Sequence, residues 1–148
     1  MSSPSEFDLD LNGKSAKIEF IKYAKNMPKD ENLWRHSGIM EVKKNFESLG
    51  LKIDTVEFIQ GMVEHTLLSN HLPGSIAVLR LDTDWYESTK IELEVLYPLL
   101  SPGGVLIIDD YGHWKGCRKA VDEYFEDIDR PFLHYIDYTC RSGIKQGF

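Results

Sequence analysis

Two short apolar runs in this sequence each end in closely spaced carboxylates. The run IAVLRL leads into Asp82 and Asp84, and the run VLII leads into Asp109 and Asp110. Ligands of open α/β sheets bind beyond the carboxyl ends of the strands, where side chains from neighbouring strands converge. Converging carboxylates repel one another and need a positive partner, and oxygen ligands suit a hard divalent ion such as Mg²⁺. The two strand ends therefore predict a metal site.

Helix capping is the alternative role for two of these carboxylates. Asp84 lies three residues before Glu87, where a predicted helix starts, and this spacing suits an N-cap. Asp110 could cap the next helix in the same way. Capping and chemistry stay equally open for Asp84, whereas Asp82 and Asp109 directly follow apolar strands and favour a ligand role.

Two further residues are weaker candidates. His113 follows the acidic pair and could contact a substrate, although a single loop histidine is more often solvated. Gly61 would let the backbone approach a cofactor closely, and the alternative is an ordinary turn glycine.

Helices and strands alternate around these residues. Apolar spacing of three and four residues predicts a helix from Gly38 to Leu49, stopped by Gly50. Another helical stripe, including Ile91 and Val95, is broken by the SPGG turn, and a later helix ends near Asp127. Four β-rich runs predict strands buried on both faces, as in a parallel sheet: residues 55–59, 76–81, 105–108 and 132–138. The pattern predicts an α/β layered fold.

Length and composition describe one domain that acts on small molecules. The 148 residues suit a single domain, and residues 1–37, rich in polar and turn-forming types, predict a mobile flap. A net charge of −7 argues against a nucleic-acid partner, and no apolar stretch reaches the roughly 20 residues of a membrane span. Two cysteines and the lack of a secretory signal favour a cytoplasmic protein without disulfides.

The run from Leu79 to Phe125 resembles the macrocin O-methyltransferase family, whose members use S-adenosylmethionine and Mg²⁺ to methylate sugars. Three separated motifs carry the resemblance: LRLD-x-D-x-YEST, LYPxLSPGG, and DDYG followed by CRKAV. Fainter similarity at EVKKNFESLGL and FIQGMVEHTL extends it over most of the chain after Gly38. The resemblance implies a Rossmann-like methyltransferase sheet and transfer of a methyl group to a hydroxyl of a sugar or other small molecule.

Site roles follow from the same resemblance. It implies that Asp82, Asp109 and Asp110 hold Mg²⁺, and that Asp82 or Asp84 is the catalytic base. Family members and the similar catechol-type methyltransferases hold their metal with an aspartate at one strand end and an acidic pair at the next.

The cofactor residues are also implied by the resemblance. Gly61, Met62 and Val63 would line the adenine side of S-adenosylmethionine, with Asp82 and Thr83 nearer its methionine end. Where the usual family pattern reads Asp-Gly-Asp, this chain reads Asp-Thr-Asp, so the Thr83 side chain could narrow the approach to the cofactor.

The departure from the family lies upstream. Members begin with a strand, a glycine-rich turn and a helix, and no Gly-x-Gly turn precedes the first predicted strand here. We therefore expect a truncated or remnant methyltransferase that binds cofactor weakly and forms a homo-oligomer through its uncovered sheet. The main alternative is a non-catalytic interaction module. An Asp-x-Asp glycosyltransferase is disfavoured because no basic partner for a diphosphate is evident. An Asp-x-Asp phosphatase is disfavoured because Asp82 is mid-chain.

Overall fold

A single mixed sheet organises the chain, seen in a computed structural model that describes residues 2–26, 38–69 and 72–147. Its strands are β1 (Ile76–Leu81), β2 (Leu100–Ile108), β3 (His134–Tyr135) and β4 (Arg141–Ile144). They lie in the order β1-β2-β4-β3, so β1 is an edge strand among the described residues. The α/β class and the strands IAVLRL and VLII are confirmed.

The register of β1 and β2 determines where the candidate site lies. The two strands are parallel, with Leu81 opposite Ile108. The Asp109 N–H donates to the Leu81 carbonyl oxygen at 3.0 Å, which continues the pairing past the last strand residue. Asp82 and Asp109 therefore leave adjacent strands at the same level.

Five helices accompany the sheet in the described ranges: α1 (Ala16–Asn26), α2 (Ile39–Ser48), α3 (Val63–Ser69), α4 (Tyr86–Leu96) and α5 (Lys115–Tyr124). Helices α4 and α5 cover one sheet face. On that face Leu81 and Ile108 are 3% and 0% exposed, and they share one apolar core with Leu93 of α4 and Val121 of α5. This core anchors the strand ends that carry the carboxylates.

Helix α2 confirms the helix predicted from Gly38 to Leu49. Gly50 has a φ of 68°, a conformation that glycine adopts at little cost. The N–H of Leu51 donates to the carbonyl oxygen of Phe46, and the N–H of Gly50 to that of Glu47. This pair of hydrogen bonds is a Schellman C-cap.

Three predictions about the sheet are wrong. Of the run at residues 132–138, only His134–Tyr135 forms a strand, β3. Residues 55–59 do not form a strand: Ile53–Thr55 is a 3₁₀ helix, and residues 56–60 have no regular structure. A β-rich run becomes a strand only when a neighbour supplies ladder hydrogen bonds, and none of the described residues pairs with β1 on its outer side. The sheet is also not all parallel, because β4 runs antiparallel to both β2 and β3.

The predicted stripe on α4 is also displaced. Ile91 and Val95 are only half-buried, and the helix buries Tyr86, Thr89 and Leu93 instead. Strand β2 begins within the segment expected to break the helix, since residues 101–104 belong to it. In the folded chain, tertiary packing buries a more polar face of α4 than the apolar spacing predicted.

The N-terminal segment packs against the starts of α4 and α5. Asp8 is fully buried, and its carboxylate accepts hydrogen bonds from the backbone N–H groups of Ser5 at 2.6 Å and Tyr86 at 2.8 Å. A Cβ at Gly116 would come within 1.9 Å of Asp8 Oδ1, so α5 needs glycine there. The mobility predicted for residues 1–37 stays a prediction, and residues 27–37 of that flap lie outside the described residues.

The second sheet face is open. Val78 and Ile144 are 59% and 52% exposed, and Arg80 lies beside them on the same face. None of the helices in the described part of the chain is both long and apolar enough to cross a membrane. Among the described residues, the open face thus exposes apolar side chains, while α4 and α5 pack on the other face.

Candidate metal and cofactor site

Three of the predicted carboxylates meet at the ends of β1 and β2. Asp82, Asp109 and Asp110 each offer a carboxylate oxygen, and these oxygens lie within 4.8 Å of one another. The Oδ2 atom of Asp110 is buried and has no hydrogen-bond partner among the described residues. A buried acceptor without a donor is costly, so a cation at this position would satisfy it. The donor set therefore fits a hard divalent ion.

The carboxylates on the covered side of the sheet resist ionisation. Burial raises the pKa of Asp110 to about 8, and repulsion from Asp84 adds to the rise. Burial also raises the pKa of Asp84. A divalent ion would reverse this effect, because its positive charge favours the ionised form of both groups.

The carboxylates on the open side have a positive partner of their own. The Arg80 guanidinium donates through Nη1 to Asp82 Oδ2 at 2.6 Å and through Nη2 to Asp109 Oδ2 at 2.7 Å. The pKa of Asp82 is nevertheless raised, by burial first and then by the adjacent Asp109 carboxylate. Arg80 was not among the site residues predicted from the sequence, although its position two residues before Asp82 on a strand places both side chains on one face.

Asp84 is not a helix cap. Helix α4 has Trp85 at its N-cap position, and its first N–H, that of Tyr86, donates to Asp8. Helix α5 likewise has Trp114, not Asp110, at its N-cap. Asp84 has a φ of 65°, in the left-handed region that residues other than glycine rarely occupy, although aspartate does so more often than most.

All five predicted cofactor residues line one cavity of about 160 Å³ beside β1: Gly61, Met62, Val63, Asp82 and Thr83. Ligand pockets usually measure roughly 300–1,000 Å³. The cavity is therefore large enough for only part of a cofactor. Ser2 and Ser88 also line it, and their hydroxyl oxygens lie 2.8 Å apart.

Backbone and side-chain constraints shape this cavity. Gly61 has a φ of 150°, and a Cβ there would lie 2.5 Å from Thr66 Cγ2, so the close approach requires glycine. The Thr83 hydroxyl donates to Glu92 Oε2 at 2.8 Å. This bond holds the additional side chain of the Asp-Thr-Asp motif against α4.

Two acids at or near the cavity, one buried and one half-buried, were not predicted from the sequence. Glu92 is 6% exposed, and burial raises its pKa to about 7. Glu64 accepts a hydrogen bond from Ser88, while its Oε2 is buried without a hydrogen-bond partner among the described residues. The position of Glu92 beside apolar residues of a helix could have indicated its burial from the sequence. Glu64 lies in a segment with no such pattern. His113 also has a buried Nδ1 without a hydrogen-bond partner in the described ranges.

The chain also matches a known protein family. A family model described as Macrocin-O-methyltransferase (TylF) matches residues 22–142, which is most of the chain. The chain belongs to this methyltransferase family. The match confirms the resemblance seen in the motifs around Asp82 and Asp109.

Two curated relatives from Streptomyces species are O-methyltransferases. One relative is the 8-demethyl-8-(2,3-dimethoxy-alpha-L-rhamnosyl)-tetracenomycin-C 4'-O-methyltransferase of Streptomyces olivaceus. It is 45% identical over 101 residues, which cover 65% of this chain and 38% of that protein. Demethyldecarbamoylnovobiocin O-methyltransferase from Streptomyces niveus is 43% identical over 60% of this chain and 34% of its own length. The chain thus matches little more than a third of these relatives.

Solved structures show the same fold. The O-methyltransferase NovP is 37% identical, with a TM-score of 0.69 over 74% of this chain and 46% of that protein. The apo structure of CalS11, a TDP-rhamnose 3'-O-methyltransferase, is 26% identical with a TM-score of 0.50 over 58% of this chain and 39% of the other. The Rossmann-like methyltransferase fold is therefore shared.

Proposed function

We propose that this chain forms the metal site and part of the cofactor site of an S-adenosylmethionine- and Mg²⁺-dependent O-methyltransferase. Its substrate would be a hydroxyl of a sugar or another small molecule. The observation that carries the proposal is the convergence of Asp82, Asp109 and Asp110 within 4.8 Å, beside the cavity lined by Gly61 and Thr83. Membership of the family supports methyl transfer as the reaction.

The residues divide the work of this reaction. Asp82, Asp109 and Asp110 would hold Mg²⁺, which when bound lowers the pKa of a coordinated hydroxyl and fixes its position. Asp84 is the better placed base, since Asp82 is already engaged by Arg80 and the raised pKa of Asp84 suits proton uptake. The Asp84 carboxylate would accept the proton of the substrate hydroxyl. Bound S-adenosylmethionine would supply the methyl group from its sulfonium, whose sulfur would keep the electron pair of the carbon–sulfur bond.

Cofactor binding by the 148 residues alone is expected to be weak. In this proposal the small cavity holds only part of the cofactor, and no Gly-x-Gly turn precedes β1 to supply backbone N–H groups to its methionine end. In the relatives, the remaining contacts to the cofactor would come from segments that this chain does not match. Methyl transfer by this chain alone should be correspondingly poor.

A titration calorimetry experiment tests the proposal. S-adenosylmethionine is titrated into the wild-type chain with and without Mg²⁺, and methyl transfer to sugar or catechol-like hydroxyls is assayed in parallel. Mg²⁺ should strengthen cofactor binding in wild type and not in Asp109→Asn. Asp129→Asn, an exposed aspartate beyond α5, is the matched control. If the affinity for the cofactor is the same with and without Mg²⁺ and is unchanged in Asp109→Asn, a metal site that acts together with the cofactor site is refuted. Micromolar binding would refute the expectation of weak binding.

The open sheet face supports a second candidate, a non-catalytic interaction module. Val78 and Ile144 expose more than half of their surface on that face. Such a module would keep the fold and need neither cofactor nor methyl transfer. Absence of any cofactor binding by the wild-type chain, together with association through the open face, would favour it.

A further inference from the structure

Arg80 occupies the open side of the candidate metal site. Its two terminal nitrogens each donate to a different carboxylate, one to Asp82 and one to Asp109, at 2.6 and 2.7 Å. These are two of the three carboxylates whose oxygens converge. A single guanidinium therefore links the end of β1 to the end of β2.

The sheet itself places Arg80 there. Side chains alternate along a strand, so Arg80 and Asp82 lie on the same side of β1. Arg80 is opposite Ile107 of β2, and two residues further along β2 comes Asp109 on that same side. The face is open, and the Arg80 side chain is 51% exposed, so the guanidinium has room to swing towards solvent.

A guanidinium and a divalent ion make competing demands on these oxygens. Asp82 Oδ2 and Asp109 Oδ2 each accept a short N–H bond from Arg80, so one electron pair of each oxygen is directed at nitrogen and is not free for an ion. Arg80 contributes one positive charge against the cluster, whereas a divalent ion contributes two and also repels the guanidinium.

We propose that Arg80 is a built-in counter-ion of the metal site, which holds Asp82 and Asp109 in the metal-free protein and must release at least one of them when a divalent ion binds. Arg80 thereby stabilises the empty fold and weakens metal affinity. The inference rests on the proposed metal site, and it concerns a residue to which the family resemblance gave no role.

The test measures metal affinity and metal-free stability in the same set of variants. Mn²⁺ binding is followed by electron paramagnetic resonance of the free ion, and Mg²⁺ binding by its competition with Mn²⁺. Arg80→Met should bind both ions roughly threefold to tenfold more tightly, the gain expected when two half-exposed ion pairs no longer need to break. Arg80→Lys keeps the positive charge but lacks the guanidinium's two nitrogens that donate to separate carboxylates. Its metal affinity should lie between those of wild type and Arg80→Met. Lys44→Met, on the exposed side of α2, is the control for loss of one positive charge.

Stability supplies the second readout. In chelator, Arg80→Met should melt at a lower temperature than wild type, while saturating Mg²⁺ should raise its melting temperature by more than it raises that of wild type. A purely structural role for Arg80 would lower stability and metal affinity together. The opposite signs are thus specific to competition.

The outcomes separate this inference from the proposed function. If Asp109→Asn loses Mn²⁺ binding but Arg80→Met binds no more tightly than wild type, only the Arg80 proposal is wrong. Weaker binding by Arg80→Met would likewise overturn it and make Arg80 a residue that positions the ligands. If Asp109→Asn binds Mn²⁺ as well as wild type, the metal site itself is wrong, and the Arg80 proposal fails with it.

Discussion

The two faces of the sheet are built from alternate residues of the same strands, yet they have opposite surroundings. On the covered face, Leu81 and Ile108 are 3% and 0% exposed beneath α4 and α5. On the open face, Val78 and Ile144 are 59% and 52% exposed. An apolar run such as IAVLRL indicates that a strand can be buried on both sides, but whether both sides are covered depends on which elements pack there.

The same contrast continues into the candidate site. On the covered side, Asp84 and Asp110 carry raised pKa values because burial disfavours their ionised forms. On the open side, burial also raises the pKa of Asp82, and Asp82 and Asp109 share the Arg80 guanidinium. The two carboxylates on the open side thus have an arginine as a positive partner in addition to the effect of burial.

The largest expected difference between the faces is in core stability. Ile108→Ala should lower the free energy of unfolding by about 2–5 kcal/mol, since it leaves a cavity in the core. Ile144→Ala removes the same atoms from the open face and should cost less than about 1 kcal/mol. Urea unfolding of both variants measures the two values. Equal losses would mean that the open face is covered in solution.

Metal binding should produce the next largest effect. Mg²⁺ at about 100 times its dissociation constant should stabilise the wild-type fold by roughly 2.7 kcal/mol, because the site exists in the folded state only. Asp109→Asn should lose most of this gain, and Asp129→Asn should keep it. Thermal unfolding across a Mg²⁺ titration is the measurement. A wild-type melting temperature that does not move would refute the metal site.

The pKa of Asp110 predicts how metal-free stability depends on pH. This pKa is raised from its ordinary value of 3.8 to about 8, so between these values the folded state holds a proton that the unfolded chain has lost. Stability is therefore greatest at low pH with respect to this group, and it falls as pH rises towards 8. Mg²⁺ affinity should rise over the same range, since binding requires the ionised carboxylate.

Asp110→Asn tests that dependence directly. The amide is similar in shape and has no proton to lose, so metal-free stability should vary less between pH 4 and 8 in the variant than in wild type. Denaturant midpoints measured in chelator at several pH values provide the comparison. A slope that is unchanged in the variant would assign the pH dependence to another group, of which Glu92 is the first candidate because its pKa is about 7.

A substitution on the open face should have the smallest effect on stability but a clear effect on molar mass in solution. An exposed apolar surface beside an edge strand favours association, so the 148-residue chain should form a homo-oligomer. Val78→Lys should shift the equilibrium towards monomer with little loss of stability. Leu68→Lys, at an exposed site on α3, should not. Light scattering across a concentration series distinguishes these results, and a wild-type monomer throughout would contradict the prediction.

Strand identity and the core of the candidate site could be predicted from the sequence because both depend on local pattern. The run IAVLRL and the two strand-end acidic groups are contiguous signals, and parallel pairing of the strands brings their ends together. The prediction for residues 55–59 failed for the opposite reason, since strand formation needs a neighbour that the pattern of one segment cannot supply. The displaced stripe of α4, which buries Glu92, depended in the same way on the packing of Thr83 and α5.

The amino-acid sequence by itself determined the family, the β1 and β2 strands, and the convergence of the candidate ligands Asp82, Asp109 and Asp110. Only the tertiary structure decided that Arg80 bridges two of these carboxylates, that Asp8 rather than Asp84 meets the start of α4, and that one sheet face is open. The physical reason is range. Side-chain alternation and motif spacing act over a few residues, whereas charge pairing, capping across 78 residues of chain and the covering of a sheet face are contacts between segments that only folding brings together.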